Sequence, residues 1–145
     1  MSTAEHVNRL GLMLRLRQQE VDRLQTELAA KERLKARYRN TLTRMDALRD
    51  AVGASGAQAH PALALNVAGY KDHLQVLRAS QAQDLALAEA EARQGAEALR
   101  AASLRQEALA QVRAQSADLL ATHLKRQEQK RTDEMATQAW LRGGA

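Results

Sequence analysis

Residues 53–61 read Gly-Ala-Ser-Gly-Ala-Gln-Ala-His-Pro, and this stretch decides the fold. Gly53, Gly56 and Pro61 make it the one strong helix-breaking cluster in a chain of 145 residues. Gly53 sits where a helix C-terminal glycine belongs, and Pro61 suits the first turn of a following helix. A single short connection between two long periodic segments predicts a helical hairpin.

Upstream of the break, a ladder climbs by alternating threes and fours. It runs Val7, Leu10, Leu14, Arg17, Val21, Leu24, Leu28, Lys31, Lys35, Tyr38, Leu42, Met45, Arg49 and Val52, with Leu34 and Leu48 flanking it where it weakens. Such spacing keeps one stripe on one side of an underwound helix and demands a partner helix. Ser2 and Glu5 have the spacing of a capping box. A first helix is expected over about 3–52, with only Gly11 interrupting it.

Downstream, a second helix is expected over about 62–141. Its seam begins with Val67, Tyr70, Leu74 and Leu77 and resumes at Leu85, Ala88, Ala92, Ala96 and Leu99. The step through Gln81 to Leu85 predicts a stutter that locally unwinds the supercoil. Between 79 and 122, alanine supplies 15 of 44 residues, so layers there bury little area and the helices approach closely. Gly95 weakens that section by a further ~1 kcal/mol relative to alanine.

Folding the hairpin about residue 57 sets Val52 against 62, Leu42 near 72–74, Leu28 near 86–88 and Leu10 near 104–106. The first helix then runs out. Residues beyond about 113 lack a partner within the chain and would project about 40 Å. That overhang carries Leu119, Leu120, Leu124, Met135, Trp140 and Leu141. A lone helix bearing such residues is marginal in water, so the geometry implies a partner, self-association or fraying. The expected fold class is all-α: an antiparallel two-helix coiled-coil hairpin with a C-terminal helical overhang, forming a single domain over 1–145.

Composition supports this. Ala (30) and Leu (22) dominate the hydrophobic residues, and Phe, Ile and Cys are absent. An ordinary globular core and a β-protein are therefore disfavoured. Without cysteine there is no disulfide, thiolate chemistry or cysteine-based zinc site. Lys+Arg is 22 against Asp+Glu 17, a net charge of +5, which permits nucleic acid, anionic lipid or an acidic protein as partner without choosing among them. No run approaches the ~18 apolar residues of a membrane-spanning helix, and Leu10 to Leu16 is too short and too charged for a signal peptide. A soluble, non-secreted protein is expected.

Chemistry-bearing motifs are sparse. His6, His60, His73 and His123 offer no pair at helical ligand spacing, so no metal is expected. No glycine-rich phosphate loop ending in Gly-Lys-Ser/Thr occurs. The carboxylate pairs Asp133–Glu134, Glu89–Glu91 and Asp46–Asp50 lie on a hairpin without a concave pocket to tune them, so no catalytic residue and no cofactor is expected. Lys31, Arg33, Lys35, Arg37, Arg39, Arg44 and Arg49 face only Glu32 and Asp46 within their segment. They read either as a docking face for an acidic partner or as seam residues whose long stems reach water. Nucleic acid is the weaker choice, since no aromatics interleave the cations.

Three strings resemble the FliJ family of flagellar type III export proteins. Glu128-Gln-Lys-Arg-Thr-Asp133-Glu134-Met135-Ala136 is similar to that family's Q-K-x-x-D-E-F-A ending, with Met135 in place of Phe. Tyr38-Arg39-Asn40-x-Leu42 resembles its Y-R-x-x-L, and Tyr70-Lys-Asp-His73-Leu74-Gln-Val-Leu77 its Y-x-x-F-I-x-x-L. The resemblance implies a non-enzymatic stalk, like the central shaft of a rotary ATPase. One end would insert into the export ATPase ring (FliI, with its regulator FliH), and the other would touch the export gate (FlhA). The stalk would also escort late export chaperones. Arg131, Asp133, Glu134 and Met135 would contact the ring. The gate-contacting positions map to His73, Leu77, Ser80 and Asp84, where Leu77 stays apolar while the others replace Phe, Ala and His. Tyr70 and Leu74 would then supply apolar contact. The implied location is cytoplasmic, peripheral at the inner face of the membrane. Alternatives are the equivalent injectisome stalk, a homodimeric coiled coil, or a basic module for nucleic acid or anionic membrane.

Overall fold

The computed structural model describes residues 3–56 and 61–144. Ser2 of the capping box and residues 57–60 of the connecting segment, His60 among them, lie outside the described residues. Two long helices pack against each other: α1, Thr3–Gly56 (54 residues), and α2, Pro61–Gly143 (83 residues). No strand occurs among the described residues. α1 runs four residues beyond its expected end at 52. Gly53 does not terminate it, and no described glycine has a positive φ. Gly53 instead leaves room for a neighbour, because a Cβ there would come within 3.0 Å of Lys71 Nζ.

The chain divides into two compact units, Asp22–Arg100 and a unit made of Met1–Val21 with Ala101–Ala145. In the Asp22–Arg100 unit the helices are antiparallel. Gly53 meets Lys71, Asp46 meets Arg78, and Leu28 lies against Gly95. The first two pairs each total 124 in residue number. In the other unit Gly11 meets Arg113 and Gln106 donates a side-chain hydrogen bond to Gln18, again totalling 124. Folding about residue 57 predicts a total near 114, so the expected register is wrong by about ten residues. Leu28 faces Gly95, not 86–88. The physical reason lies at the start of α2. Pro61 to Asn66 are all exposed, and burial begins only at Val67. Pairing therefore starts well inside α2 rather than at its first turn.

The α1 ladder is buried or half-buried at every expected position except Arg49. Along α2, burial recurs at Val67, Lys71, Leu74, Arg78, Gln81, Leu85, Ala88, Ala92, Gly95, Leu99, Ala102, Gln106 and Leu109. These steps alternate fours and threes without a slip, so the expected stutter at Gln81 is absent. The seam passes through Lys71 and Arg78, not through Tyr70 and Leu77, which are exposed, as is Ala96. Long cationic side chains lay their stems along the seam and carry their charge out of it. The alanines behave as expected: Ala88, Ala92 and Ala102 are among the most buried residues of the protein.

In the unit containing both termini, the last half-buried residue is Leu120, and every described side chain from 121 to 144 is exposed. By the register of this unit, Thr3 stands opposite residue 121. The uncovered segment thus starts some eight residues later than expected and spans about 36 Å at 1.5 Å per residue.

Candidate functional site

Two surfaces carry the residues singled out in the sequence, one in each unit. In the Asp22–Arg100 unit, Tyr70, His73, Leu77, Ser80 and Asp84 follow one another at steps of three and four on α2. They form one stripe along the edge of the seam. The first four are exposed and Asp84 is half-buried, whereas Leu74 is only 8 % exposed and packs in the seam. Leu74 therefore holds the helices together and is not available to a partner. The apolar contact this stripe offers comes from Tyr70 and Leu77.

The antiparallel register adds a residue from α1. Arg39 and Glu89 each follow a seam position and meet across one side of the pair at 3.2 Å. Residues that precede a seam position accordingly gather on the opposite side. Leu48 precedes Arg49 and Leu77 precedes Arg78, which brings both to that side at the same level. Leu48 is 49 % exposed and Leu77 56 %. The sequence marks Leu48 only as flanking the seam. The register is what joins it to the Tyr70–Asp84 stripe.

Behind this stripe, Arg78 clamps Asp46. Its Nε lies 2.6 Å from Oδ1 and its Nη2 3.2 Å from Oδ2, a two-pronged pair between the helices. The hydrogen bond from Arg78 holds the Asp46 carboxyl below the usual carboxylate range. Burial works against that shift, while the charges of Arg78 and Arg49 assist it. The same pair raises the affinity of Arg78 for its proton.

In the other unit, Arg131, Asp133, Glu134 and Met135 all lie on the uncovered end of α2, and all are exposed. They do not share one side. Arg131, Glu134 and Met135 are three and four residues apart and fall together. Asp133 is rotated about 200° from Arg131 at 3.6 residues per turn. Leu124, Gln127, Glu128, Lys130, Arg131 and Glu134 border a shallow, open depression on the helix. Trp140, seven residues after Asp133, returns to the Asp133 side and is 74 % exposed. The end of α2 therefore presents mixed charge all round, with Met135 and Trp140 as apolar points on different sides.

Residues 6–145 match the family model described as Flagellar FliJ protein. The chain belongs to the FliJ family. No curated protein and no solved structure matches it. Membership makes this FliJ-family chain a component of the flagellar protein export apparatus, in a family whose members are non-catalytic. No described helix is long and apolar enough to cross a membrane.

The basic segment of α1 is partly neutralised within this FliJ-family protein. Lys35 pairs with Glu32 at 2.9 Å, Arg39 with Glu89 at 3.2 Å, and Arg49 lies 3.8 Å from Asp46 and 3.7 Å from Asp50. Lys31 and Lys35 are half-buried in the seam. Arg33, Arg37 and Arg44 are exposed and lie off the seam, so a continuous basic face does not form from all seven cations.

Proposed function

We propose that this FliJ-family chain is the stalk that couples the export ATPase ring to the export gate. The observation that carries this reading is the run from 121 to 144, helical almost to its end and uncovered throughout. A lumen that accepts a turning or shifting shaft is wet. Charge distributed around a rod gives register there without a deep fixed pocket. Arg131, Glu134 and Met135 meet one wall of the ring, and Asp133 with Trp140 meets another. The regulator of the ATPase binds with the ring. Tyr70, His73, Leu77, Ser80 and Asp84, joined by Leu48, form the face turned to the gate, and late export chaperones are escorted by the same molecule. The chain acts as one hairpin domain, cytoplasmic and peripheral at the membrane through these partners.

ATP turnover by the purified export ATPase, with and without this protein, tests the reading. Added protein is expected to raise turnover or ring assembly, and Asp133→Ala to lose that effect while leaving thermal unfolding unchanged. No effect of the wild-type protein, together with no co-purification, would refute it. A binding role towards nucleic acid predicts affinity that falls by orders of magnitude between ~50 and ~200 mM salt. The ion pairs that engage Lys35, Arg39 and Arg49 speak against it.

A further inference from the structure

We propose that cationic seam residues of α2 set the register of the hairpin, each leaving the seam over a glycine or an aspartate of α1. This inference is independent of the stalk reading. It rests on three pairs, two in the Asp22–Arg100 unit and one in the other. Lys71 lies over Gly53, where a Cβ would come within 3.0 Å of its Nζ. Arg78 grips Asp46 with two hydrogen bonds. Arg113, exposed but at the next seam step four residues after Leu109, lies over Gly11, where a Cβ would sit 3.2 Å from its Nη2. Positions 11, 46 and 53 differ by multiples of seven, and so do 71, 78 and 113. One heptad position on α1 therefore serves as the exit for one heptad position on α2.

The apolar part of the seam discriminates poorly between registers. Its deepest members include Ala88, Ala92 and Ala102, and layers of alanine can exchange for one another with little loss. The cations do discriminate. One heptad back, Arg78 would meet Arg39 in place of Asp46, and Arg113 would lose its glycine to Ala4. One heptad forward, Asp46 would stand against Leu85. A polar pair at a seam position is a known means of fixing register at some expense in stability. In the unit with both termini, the fit of Arg113 over Gly11 decides where α2 leaves α1, and so how long the uncovered end is.

The chain has no cysteine, so engineered cysteine pairs report the register cleanly. Leu28→Cys with Gly95→Cys reports the observed register. Leu28→Cys with Ala88→Cys reports the register one heptad back. In the otherwise wild-type protein only the first pair is expected to oxidise readily. Adding Arg78→Leu is expected to raise the ratio of shifted to native cross-link by about tenfold, the change produced by losing about 1.4 kcal/mol of discrimination. Its melting temperature is expected to stay at or above that of the parent. Asp46→Ala, which removes the partner of Arg78 in the observed register and leaves the Arg39–Glu89 pair intact, is expected to raise the same ratio and decides the matter if Arg78→Leu fails to fold. An unchanged ratio in the folded variants overturns the proposal.

Discussion

Leu74 and Leu77 lie less than one turn apart on α2, and the structure gives them opposite duties. Leu74 is 8 % exposed in the seam, and Leu77 is 56 % exposed on the outer stripe. Burying a whole leucine side chain contributes about 1.5–3 kcal/mol, and truncation in a packed core adds the strain of an unfilled cavity. A two-helix seam can partly collapse around the loss, so Leu74→Ala should destabilise by about 2–3 kcal/mol, the low end for such changes. Leu77→Ala removes a side chain already more than half in water and should cost under ~1 kcal/mol. Urea unfolding followed by far-ultraviolet circular dichroism measures both. Swimming in soft agar, by cells carrying each variant in place of the wild type, measures the export role. Leu77→Ala should unfold nearly as the wild type does and swim poorly. Equal destabilisation by the two substitutions would refute the seam assignment. A stable Leu77→Ala protein with normal swimming would refute the gate face.

Other outcomes follow from single residues. Gly69 has nothing within 4 Å of an added Cβ, so Gly69→Ala should stabilise by roughly 0.5–1 kcal/mol in a urea titration. Gly11→Ala should gain less than that, because Arg113 must shift to admit the methyl group. The Asp46 carboxyl is held below its usual range in the folded protein. Its contribution is therefore fully present above the unfolded value of about 3.9 and is lost as pH falls through the lower folded value. The urea midpoint should drop between neutral pH and about pH 3, and the drop should be smaller in Asp46→Asn.

The periodic residues made the architecture legible. The ladder from Val7 to Val52 depends only on spacing, and spacing survives whatever the helix meets. Register is another matter, because it depends on which residue of one helix lies against which of the other. Symmetric folding about residue 57 supplies a register only if pairing begins at the turn, and the exposed Pro61–Asn66 segment breaks that condition. The α2 seam misled for a related reason. Tyr70 and Leu77 are apolar and look like seam residues beside Lys71 and Arg78. The cations take the seam because Gly53 and Asp46 on the other helix receive them. That choice is invisible in either helix alone. The same limit hid Leu48, whose place beside Leu77 exists only once the two helices are set in register.

The uncovered end of α2 raises the question of what its sequence asks for. Continuing the seam beyond Leu120 gives His123, Gln127, Lys130, Glu134 and Thr137 before Leu141 is reached. Where α1 stops, the stripe that would receive another helix turns polar. The remaining apolar residues do not replace it. Leu124 and Met135 lie on one side, while Trp140 is rotated about 140° from Met135. Such a rod lacks the continuous apolar line that a coiled-coil partner requires. Restoring the line should restore the demand. Gln127→Leu, Lys130→Leu and Glu134→Leu together should make the average mass in solution, measured by light scattering, rise with concentration well above that of the wild type at equal concentration. A mass that tracks the wild type throughout would mean that the stripe does not continue as a seam. The polar ladder would then be no barrier to helix pairing, and charge around the rod would lose its standing as the feature that suits this end to a ring.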